Sequence, residues 1–388
     1  MAKALLSRLQ FQGRLQISQE DVVSLRKLLQ EATLTPEEVC NAALTCAKLL
    51  RRDAGLWEAL MPALQQHRAD LTSQCLQKLP VYFARSRWRP AGLLELVAAA
   101  AEPRVAAFGG RGLAELVWAQ ARLRGRAPGL FGAIANAACA TPDSFTPPEV
   151  SKAAWAYAAS ALREGALFAA FAKTSSARIN EFGSQGLANL IWAFATLSHQ
   201  DAELQMALSE VAYRRMQNFT PQGLANLAWA YAKLFHKDEV LFSGIAEESL
   251  LQLSSFTPQN VANTLWSFAK VRHVHLELFG AASAHLQQHA GEFSTQALVN
   301  SAWAMAEVAL YDEEVFGEVA DAASRKIDEY KAQDLSNLVW SLAQVLHYDQ
   351  RALLAVADSA AAKADTFTCQ HLVCVAWAFA LLSEQCGE

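Results

Sequence analysis

The stretch FTPQGLANLAWAYAKL, Phe219–Leu234, decides the fold. Thr220 is a residue type that caps helix N-termini, and Pro221 suits the first helical position. Phe219 stands before the cap and Leu224 four positions after it, the arrangement of a hydrophobic staple. Leu224, Leu227, Ala228, Tyr231 and Leu234 then recur at helical spacing. After a short polar turn Asp238 predicts the N-cap of a second helix, which carries Phe242. The stretch therefore opens a helix–turn–helix unit, with helices A and B.

The unit repeats along the chain. Trp118, Trp155, Trp192, Trp229, Trp266, Trp303, Trp340 and Trp377 follow one another at intervals of 37 residues. Ten residues before each stands an aromatic: Phe108, Phe145, Phe182, Phe219, Phe256, Phe293, Tyr330 and Phe367. Projected backwards, the period reaches Leu71 and Leu34, where Thr35-Pro36 through Asn41 to Ala47-Lys48-Leu49 still matches. Asp201, Asp312 and Asp349 share the Asp238 column, and Glu38 and Glu149 are placed to close capping boxes. Helix B repeats a large apolar residue at Trp57, Leu94, Phe131, Phe168, Phe242, Phe279, Phe316 and Leu353.

Neither helix can hide its apolar face alone, so the pairs must stack. The expected fold is all-α, a right-handed α-solenoid of about ten 37-residue helix–turn–helix repeats over residues 34–388, the last repeat incomplete. Residues 1–33 are expected to add an N-terminal capping helix through Val22, Val23, Leu25, Leu28 and Leu29. The same segment reads as a short organelle-targeting sequence, with Lys3, Arg8 and Arg14 and no acid before Glu20. The final helix lacks its mate, which predicts a protein partner or a second copy at the open C-terminal end.

Composition narrows the function. The chain is 53% hydrophobic and 18% charged, which excludes a disordered polymer. No apolar run reaches the length of a membrane helix, so no membrane insertion is expected. The net charge of −5 hides a split: residues 1–126 carry 18 basic against 11 acidic side chains, the remainder 15 against 27. A polyanion should be drawn to the first third. The seven cysteines form no CxxC pair and read as mostly core thiols of a reducing compartment.

On a helical wheel of helix A, Gln222, Lys233, Asn226, Ala230 and Gly223 share one polar stripe. Trp229 continues the apolar face, and the Trp and Phe columns read as core. The stripe recurs as a ladder of amides: Gln185 and Asn189, Gln222 and Asn226, Gln259 and Asn263, Gln296 and Asn300, Gln333 and Asn337. Beside it lie a small column at Ala230 and a variable polar column that includes Asn260 and Asp334. Lys48, Arg85, Arg122, Lys233 and Lys270 make a basic column, and Arg111 stands where others have Gln. Amides carry both donor and acceptor and can bond base edges in pairs. A small floor would let a ring approach the backbone, and the basic column would meet phosphates. One such unit per repeat matches the way helical-repeat proteins read single-stranded RNA. The same amides can instead bond neighbouring repeats and set the pitch.

The segments FTPQGLANLAWAYAKL, FTPQNVANTLWSFAK (Phe256–Lys270) and SQGLANLIWAFATL (Ser184–Leu197) resemble helix A of octotricopeptide repeats. They are also similar to the repeats of FAST-kinase-like organellar RNA-binding proteins and of the trypanosomatid RNA-editing substrate-binding complex. The resemblance implies RNA binding through helix A, to single-stranded RNA or rRNA, in the mitochondrial matrix or plastid. It implies roles in RNA stability, processing, editing or ribosome assembly. An armadillo- or HEAT-type protein scaffold is the alternative. No nucleotide loop, zinc-protease or nucleophile-elbow motif occurs, so no enzyme and no cofactor are expected. His199, His236, His273 and His347 share one repeat column and lie too far apart for one metal. His273 and His275 alone make only a weak metal signal.

Overall fold

The structure is a computed structural model that describes residues 20, 22–24, 26–27, 34–49 and 53–385. The expected capping helix and targeting segment fall mostly outside the described residues; Val22, inside them, is helical and buried. All regular structure among the described residues is helical. In chain order the pairs begin α1 (Pro36–Leu49) and α2 (Ala54–Gln66), α3 (Ser73–Ser86) and α4 (Leu93–Ala101). They continue with α5 (Gly110–Arg122) and α6 (Pro128–Ala140), α7 (Pro147–Ala159) and α8 (Gly165–Ala177), α9 (Ser184–Thr196) and α10 (Ala202–Arg214). Next are α11 (Pro221–Lys233) and α12 (Glu239–Gln252), α13 (Pro258–Lys270) and α14 (Leu276–His289), α15 (Thr295–Glu307) and α16 (Glu313–Lys326). The last are α17 (Ala332–Gln344), α18 (Gln350–Ala362) and α19 (Cys369–Gln385).

The chain divides into two compact units, residues 1–204 and 205–388. In the first, α1, α3, α5, α7 and α9 pack each on the next, and α2, α4, α6 and α8 do the same. In the second, α11, α13, α15, α17 and α19 form one row and α12, α14, α16 and α18 the other. This is an all-α solenoid of helical repeats.

The caps form as the sequence implies. Gly223 N–H donates to Thr220 Oγ1 at 3.2 Å and Leu241 N–H to Asp238 Oδ1 at 3.0 Å. Asp201, Asp312 and Asp349 cap their B helices in the same way. Thr35 with Glu38 and Thr146 with Glu149 close capping boxes. The Phe column is core from Phe108 to Tyr330, with Phe145 1% exposed and Phe219 3%; Phe367 is half-buried. The large residue of helix B is core too, from Trp57 to Leu353. The helix B rings meet those of the Tyr231 column on the next A helix edge to face, Phe168 with Phe194 at 5.0 Å and Phe242 with Phe268 at 5.1 Å. Where the facing residue of helix A has a polar head, it reaches a carbonyl on the preceding B helix. Gln120 donates to Leu94 O, Tyr157 to Phe131 O and Tyr231 to Gln205 O.

Two periodic features were invisible in the residue pattern. The A helices from α3 to α17 each end with a residue in the left-handed region: Arg87, Arg124, Ala161, Ser198, Phe235, Arg272, Ala309 and Leu346, φ 53–59°. None is glycine. The next N–H reaches back five residues, as His236 N–H does to Tyr231 O at 3.0 Å, and Phe235 N–H bonds Ala232 O. This is a Schellman ending, in which the residue after the left-handed one packs on the last turn. That explains the histidine column: the His199, His236 and His273 rings lie 5.4, 5.4 and 5.6 Å from Phe194, Tyr231 and Phe268. Secondly, Arg104, Arg178, Gln252 and Lys363 each donate to a backbone carbonyl 33 residues earlier: Leu71, Phe145, Phe219 and Tyr330. These side chains clamp the end of helix B to the start of helix A within each of those repeats.

Candidate nucleic-acid interface

Packing leaves each A helix one open line. On α11 the residues that escape full burial are Pro221, Gln222, Asn226, Trp229 and Lys233. Gln222 and Lys233 are exposed, Asn226 and Trp229 half-buried. The spacing of four, three and four residues keeps them on one side of the helix. On α13 the line is Gln259, Asn263, Trp266 and Lys270, flanked by half-buried Asn260. On α9, α15 and α17 it runs Gln185–Asn189–Trp192, Gln296–Asn300–Trp303 and Gln333–Asn337–Trp340. Every glutamine of the ladder is exposed and every asparagine half-buried.

The tryptophans correct the sequence reading. They were expected in the core, yet Trp118, Trp155, Trp192, Trp229, Trp266, Trp303 and Trp340 are all half-buried, and Trp377 is 42% exposed. On the wheel Trp229 borders Gln222. Alanines on the flanking columns bring neighbouring A helices so close that the indole is displaced onto the open line. There the rings meet along the second unit, Trp266 to Trp303 at 6.4 Å and Trp303 to Trp340 at 6.1 Å.

The small column is also corrected. Ala119, Ala156, Ala193, Ala230, Ser267, Ala304 and Ser341 are buried, so no floor of small residues opens to a ligand. They are the contact between A helices. The variable column is partly taken: Lys331 N–H donates to Asp334 Oδ2 at 3.1 Å and Gly223 is buried, while the Thr257 cap uses only the backbone N–H of half-buried Asn260. Arg111 is tied to Glu115 at 3.3 Å, and Glu115 also accepts from Gln77.

The amides do not lock the repeats together. Among the described residues, the side chains of Gln185, Asn189, Gln222, Asn226, Gln296, Asn300, Gln333 and Asn337 make no hydrogen bond to protein, and Gln259 bonds only Asn263 on its own helix, at 2.8 Å. Between repeats, Gln120, Tyr157 and Tyr231 reach carbonyls of the preceding B helix instead. Donors and acceptors of the ladder are thus free to meet something else. Lys48, Arg85, Arg122, Lys233 and Lys270 are exposed at the C-terminal ends of their helices.

In the first unit the open line changes character: Lys78, Arg111 and Lys152 replace amides. The turns after α3 and α5 carry Arg85, Arg87 and Arg89, then Arg122, Arg124 and Arg126, all exposed. The basic column alone found one residue of each triplet; the alternation Arg-x-Arg-x-Arg was the missed signal. The corresponding turns of the second unit expose Phe235, Val274, Tyr311, Leu346 and Tyr348.

No group of three or more His, Cys, Asp or Glu among the described residues could hold a metal, and His275 caps α14 through Nδ1. Cys40, Cys46 and Cys75 are buried free thiols, and a hydrogen bond from Cys75 holds Cys40 down to about 6. No described helix is long and apolar enough to cross a membrane.

Residues 67–310 match a family profile described as RNA-editing substrate-binding complex 6 protein. The chain belongs to that family. A search of curated proteins found no match. Among solved structures, the chain is similar to one titled as a homology model of the full-length AP-3 complex in an intermediate open conformation. The two are 11% identical with a TM-score of 0.39, over 98% of this chain and 74% of the other, too distant to bear on function.

Proposed function

We propose that this family member is a non-enzymatic RNA-binding protein of organellar RNA metabolism, acting in editing or a related processing step in a mitochondrion or plastid. Single-stranded RNA lies along the open line of the A helices. The amides meet base edges, the indoles offer apolar surface to base faces, and Lys233, Lys270, Arg85 and Arg122 meet phosphates. One observation carries the reading: α11 buries everything except Pro221, Gln222, Asn226, Trp229 and Lys233, and the ladder amides have no protein partner between repeats. Amides held in register at a surface and left unsatisfied are suited to a ligand that has donors and acceptors at the same spacing. The family description, which names an RNA-editing substrate-binding complex, supports the same reading.

The test is fluorescence anisotropy with a labelled single-stranded RNA. Gln296→Ala with Asn300→Ala should weaken binding by about 1–3 kcal/mol for each base edge left unbonded, while melting stays at the parent value. Unchanged affinity would remove the amide ladder from the interface. A scaffold role for the second unit is favoured by one observation, the exposed Phe235, Leu276, Tyr311 and Tyr348 along one edge, since apolar surface of that kind marks protein contacts.

A further inference from the structure

One concavity in the first unit lies outside the amide ladder. It has a volume of about 480 Å³ and is lined by Arg87, Arg89, Arg122, Arg124, Trp155 and Ala159, among others. Its origin is legible. The turns after α3 and α5 each carry an Arg-x-Arg-x-Arg run, and the next repeat has Ala159 where they have Arg85 and Arg122. The missing side chain leaves room beside the Trp155 indole. Left-handed Arg87 and Arg124, φ 53° and 54°, sit at equivalent places in the two turns.

The arginines divide by role. Arg89 pairs with Glu95 at 2.5 Å and donates to Arg124 O at 3.2 Å, so it holds the neighbouring turn. Arg87, Arg122 and Arg124 have no carboxylate or carbonyl partner among the described residues. Three uncompensated guanidiniums around one cavity, beside one half-buried indole, form an anion site with an aromatic wall. The cavity is of the size that small ligands occupy. An internal phosphodiester brings a single negative charge. A terminal phosphate brings nearly two, with three acceptor oxygens that guanidinium forks engage in pairs.

We propose that this cavity binds a nucleotide bearing a terminal phosphate, its base against Trp155 and its phosphate held by Arg87, Arg122 and Arg124. The chemistry is shared by the phosphorylated end of an RNA strand and a free nucleoside triphosphate. The strand-end form rests on the RNA-binding reading; the cavity itself does not.

The experiment uses the full chain and a 3′-labelled RNA oligomer carrying either a 5′-hydroxyl or a 5′-monophosphate, with ATP as the free-nucleotide probe. For a strand end, the phosphorylated oligomer should bind about tenfold more tightly. Arg87→Asn with Arg124→Asn should abolish that difference; asparagine suits the left-handed backbone, and melting checks the fold. For a free nucleotide, ATP should bind by calorimetry to the parent and not to the double variant. Equal affinity for the two oligomers together with no ATP binding would overturn the proposal while leaving RNA binding along the ladder intact. No RNA binding by the parent chain would instead sink the RNA reading, and ATP binding would then decide the cavity alone.

Discussion

The turns between helices A and B look alike in backbone and unlike in surface across the two units. From Arg87 to Leu346 the same residue of every turn is left-handed, with φ within 53–59°. Gly125 N–H to Gln120 O in the first unit, at 2.8 Å, and His347 N–H to Leu342 O in the second, also at 2.8 Å, close the same ending. Yet the first unit dresses these turns with Arg85, Arg87, Arg89, Arg122, Arg124 and Arg126, the second with Phe235, Val274, Tyr311, Leu346 and Tyr348. The backbone is fixed by the helix ends and by the following residue packing on the last turn. The left-handed side chain points outward and is therefore free to be chosen for surface chemistry. Arginines suit a polyanion, and apolar side chains suit a protein.

That comparison can be pressed at four points. The largest effect should be the same in both units. Phe168→Ala and Phe242→Ala, one column of the B helices, should each cost about 3–5 kcal/mol in a denaturant titration through the cavity left behind. Half-buried Trp303→Ala should cost only about 1–2 kcal/mol. A tryptophan cost matching the phenylalanines would return the indoles to the core. Next, the edges should separate. Replacing Arg85 and Arg122 with Gln and Arg87 and Arg124 with Asn should lower RNA affinity at least tenfold. It should also flatten the salt dependence, by about 0.7 in logarithmic slope for each phosphate no longer neutralised. Phe235→Asn with Tyr348→Asn should leave RNA affinity unchanged; the opposite pattern would reverse the assignment of the two edges.

Third, the shared backbone predicts shared relief. Ala161→Gly in the first unit and Ala309→Gly in the second should each raise the unfolding free energy by about 1 kcal/mol, because the left-handed region disfavours any Cβ. The smallest effect again divides the units. His273, His285 and His347, all in the second, have their protonation pushed below the usual imidazole value by burial. The unfolded chain then holds more protons than the folded one, so stability present above pH 6.5 is lost as pH falls through and below it. His273→Leu with His347→Leu should flatten that acid-side loss; Leu162 and Leu310 already occupy the same column. A profile unchanged by the double substitution would show that these rings do not set it.

Much of this was legible in the residues. Helix–turn–helix units, their caps and the Phe columns follow from a 37-residue period that sets apolar spacing, Thr-Pro starts and Asp starts in register. The open line was legible too, from Gln222 and Asn226. What periodicity could not give was the depth of each column. A wheel places Trp229 and Ala230 on either side of Gln222 and does not say which is pressed against the next helix. The answer depends on how closely two A helices approach, which alanine and serine columns decide jointly. The clamp from Arg178 to Phe145 O was equally hidden, because its acceptor is a carbonyl and leaves no trace in residue type. The Asp334 column looked solvent-facing for a similar reason: its partner is the backbone N–H of Lys331.

The central claim is that the unpaired amides and half-buried indoles of the A helices are the surface that RNA touches. The most direct measurement is photocrosslinking of the full chain to a 4-thiouridine-containing single-stranded RNA, with the modified peptides identified by mass spectrometry. The account predicts adducts on the peptides carrying Gln222–Lys233, Gln259–Lys270 and Gln296–Trp303. Efficient adducts confined to the B helices, with those peptides unmodified, would contradict it.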